Sequence, residues 1–203
     1  LSALACRCRL TLLAGLPERA EDGRLYITQL ICFPDGRREA YRKTHPGERE
    51  CAVFSRGDAL PVFSDGNVTF GVALCSDNHY PEVASILSLK GAELVLAPFA
   101  SPARAGDRRA LWMKFLPARA YDSRIFLACC NLLGDNGMGT VFSGGAMAFS
   151  PDGGLLAEDF SGKEGLLLVS LSDAALRPYR QTARASMSAT YFPAGRRPEL
   201  YHL

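Results

Sequence analysis

The sequence Gly71-Val72-Ala73-Leu74-Cys75-Ser76-Asp77-Asn78-His79-Tyr80-Pro81-Glu82 begins as an apolar run, reaches one cysteine and then becomes polar. Residues 68–74 suit a buried strand, and Pro81 suits the first turn of a helix, with Asn78 as a candidate cap just ahead of it. We call this predicted strand-to-helix turn the elbow. Cys75 then lies at the carboxyl end of a strand, where α/β proteins bind ligands and where the amides of a following helix favour a thiolate. The alternative is that Cys75 is a small buried hydrophobic residue.

The composition indicates one globular domain and gives no sign of a nucleic-acid or membrane partner. Of 203 residues, 48% are hydrophobic, which is enough for one sizeable core, and no segment resembles a linker, so we expect a single domain over residues 1–203. The 23 basic and 21 acidic residues are intermixed, and the net charge of +2 gives no reason to expect nucleic acid or an anionic membrane as a partner. Arg37-Arg38 and Arg108-Arg109 are interpreted as solvated charges.

The hydrophobic and cysteine patterns favour a cytoplasmic protein without a metal. No apolar run reaches the ~18 residues of a membrane span, and Arg7 and Arg9 interrupt the opening segment, unlike a secretory signal. Seven cysteines, without the spacing of a small disulfide scaffold, favour a reducing compartment. Cys6 and Cys8 are too close together for a zinc pair, and no second pair follows. We expect neither a metal nor another cofactor.

Ahead of the elbow, the pattern predicts a hairpin that leads to a basic strand end. Residues 9–16 and 25–33 are apolar enough to form two strands. Pro34-Asp35-Gly36, which follows the second of them, is a strong turn signal. The return through residues 41–43 places Lys43 at the end of a strand, within reach of a pocket. A lysine in such a position is usually only solvent-exposed.

A cysteine–histidine site is a weaker alternative. His45, His79 and His202 are the available bases for Cys75. Such a site also needs an orienting Asn or Asp, and no other signature of a thiol protease is present, so we disfavour it.

Downstream of the elbow, the order strand, helix, strand predicts a parallel crossover. Residues 80–90 read as a helix and residues 93–97 as a buried strand. Loops that leave adjacent parallel strands meet at one edge of the sheet, so Phe99 and Ser101 are expected in the pocket wall beside Cys75.

A second helix and strand are predicted to follow. Asp107 caps a helix that runs to about Ser123, in which Pro117 either produces a kink or marks a second element boundary. Residues 125–131 are apolar, as a central strand should be. Asn131 ends that strand at the same sheet edge and either contacts substrate or forms a turn.

The last third of the chain predicts hairpins. Residues 145–149, 155–158 and 166–171 read as antiparallel strands, and residues 174–184 as a short helix. Helices early and hairpins late indicate a mixed α/β sandwich with helices outside.

The elbow resembles a family signature. Residues 75–82 are similar to the Cys-Tyr-Asp-x-x-Phe-Pro-Glu motif of the nitrilase superfamily, the carbon–nitrogen hydrolases. Six further segments resemble the family's motifs in the family's order along all 203 residues: Tyr41-Arg42-Lys43-Thr44-His45, residues 91–98, Arg119-Ala120-Tyr121-Asp122-Ser123 with Asn131 and Gly134, residues 142–145, residues 150–153 and residues 196–201. Each motif alone is weak, but the ordered set is specific.

The resemblance implies a fold and a catalytic set. The fold is the family's four-layer αββα sandwich. Cys75 is the implied nucleophile, Lys43 the cation that stabilises the tetrahedral oxyanion, and Glu50 the supporting acid, since it precedes Gly57 by the family's seven residues; Glu48 is the fallback. The Ser76 amide is the implied second oxyanion donor. The residues expected to contact substrate are Ser76, Asn78, His79, Phe99 and Asn131.

The family's general base has no counterpart in this sequence. In the family it is a glutamate in a Pro-Glu segment that ends the first strand; Leu16-Pro17-Glu18 imitates that segment but matches a later strand. The resemblance therefore implies that the first strand and helix are lacking.

Three functions are compatible with the resemblance. The first is thiol-dependent hydrolysis of an amide, an N-carbamoyl compound or a nitrile. The second is a catalytically inactive relic that binds without turnover, and the third is acyl transfer to an amine. A homodimer or a higher homo-oligomer is implied, with a small-molecule substrate as the other partner.

Overall fold

The computed structural model describes residues 1–180, 187 and 190–201, and a three-stranded antiparallel sheet forms its first part. Its strands, in the order β1-β2-β3, are β1 Leu12–Arg19, β2 Leu25–Cys32 and β3 Arg38–Arg42. β1 ends three residues later than the predicted strand and includes Pro17, which is tolerated because β1 is the edge strand of this sheet as described.

The second sheet has six strands, in the order β11-β10-β7-β6-β5-β4. They are β4 Val62–Ser64, β5 Thr69–Val72, β6 Leu94–Phe99, β7 Phe126–Asn131, β10 Ala146–Phe149 and β11 Leu155–Asp159. β5, β6 and β7 are parallel, so their carboxyl ends share one edge, and the remaining neighbours are antiparallel. Next to that edge lies a two-stranded hairpin of β8 Leu133–Asp135 and β9 Val141–Ser143.

Helices connect the parallel strands. The helices are α1 Ser2–Cys8, α2 Glu48–Cys51, α3 Pro81–Leu89, α4 Arg108–Trp112, α5 Leu116–Ser123 and α6 Asp173–Arg180. α3 links β5 to β6, and α4 and α5 link β6 to β7, which is the crossover that parallel strands require. None of the described helices combines the length and the hydropathy that a membrane span requires.

The two large sheets pack face to face, with helices on their outer faces. Ile31 and Phe33 of the first sheet share one buried cluster with Phe70 and Val72 of the second. On the other face of the six-stranded sheet, α3 and the strands bury a separate cluster that contains Val83, Leu87, Val95 and Ile125. On the outer face of the first sheet, the Ser2 hydroxyl of α1 lies 3.6 Å from Cys32 Sγ. This layering is the predicted α/β sandwich.

The predicted helix from Asp107 to Ser123 is two helices. Asp107 accepts a hydrogen bond from the Ala110 amide (3.1 Å) and caps α4, as predicted, but α4 ends at Trp112. Pro117 lies in the first turn of α5, where its missing N–H breaks no hydrogen bond. The interpretation of Pro117 as an element boundary is therefore correct, and the kinked single helix is wrong.

One predicted strand does not form in the described part of the chain. Residues 166–171 have no strand partner there, and Leu166 and Leu168 are 89% and 86% exposed. An apolar run becomes a strand only when a neighbour completes its hydrogen bonds, which the run itself cannot reveal. The predicted helix over residues 174–184 is observed as α6 to Arg180, and residues 181–184 lie outside the described residues.

Candidate active site

Cys75 lies at a strained turn between β5 and α3. Its backbone has φ 47°, a left-handed conformation that costs a non-glycine residue about 1–2 kcal/mol. Residues Cys75–His79 form a tight 3-10 turn, after which α3 begins at Pro81. The side chain is half-buried and packs against a core cluster that includes Phe99 and Trp112. The elbow predicted from the sequence is therefore present at the carboxyl edge of the sheet.

Asn78 stabilises the elbow through hydrogen bonds to its backbone. It is buried, and its Nδ2 donates to the carbonyl oxygens of Ala73 (2.8 Å) and Cys75 (3.1 Å). The residue that precedes α3 is Tyr80, which has no side-chain cap bond, so the prediction of Asn78 as the helix cap is wrong. The observed contacts hold the turn together.

Asp77 joins the elbow to the loop that follows Lys43. Its carboxylate is completely buried and accepts hydrogen bonds from the Leu74 amide (2.8 Å), Tyr41 Oη (2.7 Å), Thr44 Oγ1 (3.0 Å) and the His45 amide (2.9 Å). Burial, together with the charge of Asp77, raises the pKa of Tyr41, so the phenol stays protonated and remains a donor. Sequence reasoning gave Asp77 no role, although its place two residues after Cys75 in the motif was a usable signal.

Lys43 is buried and paired with Glu50. The lysine is 3% exposed, and its Nζ lies 2.6 Å from Glu50 Oε2, which also accepts a hydrogen bond from the Gly47 amide (2.6 Å). The alternative of a solvent-exposed lysine is therefore wrong. Glu48 is exposed, so the pairing favours Glu50 over Glu48 as the supporting acid. Gly57 lies so close to this strand end that an added Cβ would meet the Arg42 carbonyl oxygen at 2.2 Å.

Neither His45 nor His79, the two histidines that the structure describes, contacts the thiol. His45 Nδ1 lies 3.0 Å from Asp77 Oδ1, and its ring stacks on Tyr80 with centroids 3.9 Å apart. The His79 ring lies 4.4 Å from the Phe115 ring, and partial burial together with the charge of Arg119 lowers the pKa of His79. The cysteine–histidine alternative has no support in the described residues, and His202 lies outside them. Ser76 is held at the elbow because its Oγ donates to the His45 carbonyl oxygen.

The wall opposite the elbow is built on Ser101. Its Oγ lies 3.6 Å from Cys75 Sγ, and its backbone is clamped by Asn131, whose Oδ1 accepts from the Ser101 amide (2.8 Å) while Nδ2 donates to the Ser101 carbonyl (3.1 Å). Asn131 thus positions Ser101, a role that neither predicted alternative described. Phe99 is buried against Trp112, with ring centroids 4.8 Å apart, and lies behind the wall.

Arg108 is buried against the loop that bears Ser101, and the sequence analysis missed it. Interpreting Arg108-Arg109 as solvated charges is right for Arg109, which pairs with Glu158 at the surface (2.7 Å), and wrong for Arg108, which is 9% exposed. Burial lowers the pKa of Arg108, and its Nη2 makes one long hydrogen bond to the Pro102 carbonyl oxygen (3.4 Å). Among the described residues, no group of three or more His, Cys, Asp and Glu side chains is arranged to hold a metal ion.

Known proteins resemble this chain in sequence. A sequence model of the carbon–nitrogen hydrolases matches residues 1–181. The chain is 31% identical over 204 residues to a Pseudomonas protegens protein named "Hydrolase in pqqF 5'region", covering 99% of this chain and 67% of that protein. It is 33% identical over 136 residues to an (R)-stereoselective amidase from a Pseudomonas species (67% and 48% covered) and 29% identical over 168 residues to the human omega-amidase NIT2 (78% and 60%). The chain thus spans about half to two thirds of the length of these relatives.

Solved structures agree with the sequence matches. The NitN amidase of Nesterenkonia sp. AN1 superposes with a TM-score of 0.80 at 31% identity, covering 98% of this chain and 71% of that chain. A mutant structure of the Nesterenkonia sp. AN1 amidase (TM-score 0.80, 31% identity, 98% and 69% covered) carries the acetamide moiety of fluoroacetamide covalently bound at that protein's active-site cysteine. Saccharomyces cerevisiae Nit3 matches with a TM-score of 0.73 at 26% identity, covering 80% and 60%. These matches confirm the predicted nitrilase-like αββα fold.

Proposed function

The chain belongs to the carbon–nitrogen hydrolase family of the nitrilase superfamily, and from that membership we propose that it hydrolyses a non-peptide C–N bond through an acyl thioester on Cys75. The substrate is an amide or an N-carbamoyl compound, with a nitrile as a further class. The observation that carries the proposal is the strained Cys75 backbone, held at the sheet edge beside the loop that bears the buried Lys43. A conformation that costs free energy persists where the surrounding structure enforces it, and such positions cluster at active sites.

The proposed reaction has two half-reactions. In the first, Cys75 Sγ bonds to the amide carbon, the C–N bond breaks, and the thiol proton leaves with the amine. In the second, water attacks the thioester, its hydroxyl remains on the acid, and its other proton restores the thiol. Both half-reactions pass through a tetrahedral oxyanion, so the donors that face this oxygen determine the rate.

Lys43 is assigned to that oxyanion, with the Ser76 amide as the second donor. A buried ammonium is costly unless it is paired, and Glu50 at 2.6 Å supplies the pairing in the resting protein. The bond from the Gly47 amide to the same Glu50 oxygen fixes the carboxylate, and with it the lysine. Glu50 therefore acts as a positioning residue, and Asp77 fixes the loop after Lys43 relative to the elbow.

The nucleophile can be tested by limiting alkylation. Iodoacetamide at substoichiometric amounts, read by peptide mass spectrometry, should label Cys75 faster than the exposed Cys6 and Cys51, because a thiolate and not a thiol is alkylated. Cys129 serves as an internal control, since it is buried and burial raises the pKa of its thiol. If the exposed cysteines are labelled at similar rates and Cys75 remains unlabelled, a nucleophilic role for Cys75 is contradicted.

Turnover separates an amidase from a protein that only binds. In a protein that carries the family's general base, release of ammonia from a simple aliphatic amide should be catalytic with Cys75 and absent with Cys75→Ala. A stable adduct on Cys75 without repeated turnover would favour the inactive relic. The family resemblance also supports a homodimer or a higher homo-oligomer as the assembled form.

A further inference from the structure

The Ser101 hydroxyl and the Cys75 thiol form an isolated pair. Ser101 Oγ lies 3.6 Å from Cys75 Sγ, a hydrogen-bonding distance for the larger sulfur atom. Among the residues that the structure describes, neither side chain has another hydrogen-bond partner. Ser101 is only 9% exposed, and a buried hydroxyl normally has a partner within the protein. The sulfur is the atom that satisfies this hydroxyl.

The loop that carries Ser101 is fixed on both sides. Ser101 follows the end of β6 by two residues, and Asn131 at the end of the adjacent β7 holds the Ser101 amide (2.8 Å) and carbonyl (3.1 Å) with the two ends of its own side-chain amide. Pro102 comes next, and a proline restricts the residue before it to extended backbone. Pro102 also forms a bridge to Phe142 of β9. The hydroxyl is therefore held in one place relative to the sheet edge at which Cys75 lies.

A hydroxyl in this place favours the ionised form of the sulfur. A hydrogen bond to a charged acceptor is shorter and stronger than one to a neutral acceptor. A donor fixed at the sulfur therefore stabilises a thiolate more than a thiol. Other donors near the elbow are engaged elsewhere, since Lys43 Nζ lies 2.6 Å from Glu50 Oε2 and the two described histidines contact other groups. Ser101 is the side chain placed to interact with the sulfur before substrate binds.

We propose that Ser101 is a catalytic residue whose hydroxyl donates to the Cys75 thiolate and directs it at the substrate carbon, with Asn131 as the residue that positions the hydroxyl. This rests on the proposed hydrolysis at Cys75. Ser101 keeps its proton throughout. When the sulfur bonds to the carbonyl carbon, its negative charge passes to the carbonyl oxygen, and the bond from Ser101 weakens. When water has attacked the thioester, the sulfur leaves with the electron pair of the broken C–S bond, and the bond from Ser101 forms again.

Labelling of the thiol tests this pair without turnover. Limiting iodoacetamide is read by peptide mass spectrometry, with the exposed Cys6 as the reference in the same sample. A hydrogen bond to a charged group changes the ratio of thiolate to thiol by ~10-fold, and the less stabilised thiolate is intrinsically ~3-fold more reactive. We therefore expect Ser101→Ala to slow Cys75 relative to Cys6 by ~3-fold at neutral pH. Ser143→Ala, which changes an exposed serine of β9, is the matched control and should leave this ratio unchanged.

A double-mutant cycle separates positioning from general damage. Asn131→Ala removes the clamp but leaves the hydroxyl, and it should slow the labelling of Cys75 by a similar factor. The double variant should be no slower than either single variant, because Asn131 acts on the sulfur through Ser101. Losses that add, or wild-type labelling in Ser101→Ala, would overturn the proposal. Ser101→Ala removes no backbone contact, so it decides the question even if Asn131→Ala fails to fold.

Acylation by an activated ester connects the pair to the proposed function. Nitrophenyl acetate should transfer its acetyl group to Cys75 and release nitrophenolate, which departs without a proton. The rate of this single turnover should fall in Ser101→Ala by the same factor as the labelling rate, and Cys75→Ala should not react. If labelling depends on Ser101 but Cys75 is never acylated, the proposed hydrolysis fails and the pair stands. If Cys75 is acylated and neither rate depends on Ser101, the pair fails alone.

Discussion

Replacing Asp77 with asparagine should both destabilise the protein and disturb its active site. The carboxylate is completely buried, and the two sides of it face different donors. Oδ2 accepts from the Leu74 amide and from Tyr41 Oη, while Oδ1 accepts from the His45 amide and from Thr44 Oγ1. Asparagine has the same shape but presents an NH₂ group on one side. Whichever way the amide turns, a donor then faces a backbone N–H that cannot move away.

The magnitude follows from counting those donors. The hydroxyls can reorient, since Tyr41 Oη and Thr44 Oγ1 are 3.1 Å apart and can bond to each other. One backbone amide, of Leu74 or of His45, stays unsatisfied, at about 1–3 kcal/mol, and the surviving bonds lose their charge assistance. We therefore expect the free energy of unfolding to fall by roughly 2–4 kcal/mol, which for a chain of this size lowers Tm by about 4–16 °C.

Urea denaturation and thermal melting of Asp77→Asn and Asp173→Asn provide the assay. Asp173 pairs with Arg177 on an exposed helix surface, at 67% side-chain exposure, so its replacement should change stability by only about 0.5 kcal/mol or less. Amide turnover at a temperature where both variants are folded should also fall for Asp77→Asn, because Asp77 connects the Lys43 loop to the elbow. A melting temperature within about 2 °C of the wild type would refute the reasoning, since this is the smallest shift that one lost kcal/mol produces.

Three further outcomes are expected. Lys43→Met should reduce kcat by ~10²–10³ in an ammonia-release assay while the protein stays folded, because the lysine acts on charge that develops in the transition state; near-normal turnover would remove it from the mechanism. The hydrogen bond from Arg42 lowers the pKa of Glu18 below its ordinary 4.5. In urea titrations, the wild type should therefore be more stable than Glu18→Gln above pH 4.5, and this difference in unfolding free energy should disappear as the pH falls through the lowered folded-state pKa. A stability difference that does not change with pH would contradict the ion pair. Light scattering should show at least a dimer, as the family resemblance implies, and a monomer would count against it.

The elbow was predictable because its signal is local. An apolar run, one cysteine and a proline six residues later specify a strand end and a helix start without reference to any other part of the chain. The parallel order of the strands around it follows from the helix between them. The roles of Cys75, Lys43 and Glu50 came from the family resemblance, and the structure adds the ion pair between Lys43 and Glu50.

The missed residues depend on tertiary contacts. Arg108 and Arg109 are adjacent residues of the same type, yet Arg108 is buried and Arg109 forms an ion pair at the surface. α4 has only five residues, too few for a periodic pattern to reveal which arginine faces inward. Asp77 was missed for a similar reason: apart from Leu74, its partners Tyr41, Thr44 and His45 lie more than 30 positions earlier in the chain, and only the fold brings them together.

The strain at Cys75 shows what the missed residues do. A left-handed backbone at a non-glycine residue relaxes unless its neighbours hold it. On one side of the cysteine, the Leu74 amide is held by Asp77, and on the other the Cys75 carbonyl is held by Asn78. Buried polar contacts therefore hold the backbone on both sides of the thiol. Because hydrogen bonds depend on direction more strongly than apolar contacts do, a small change at Asp77 or Asn78 should move the thiol farther than a comparable change in the surrounding core.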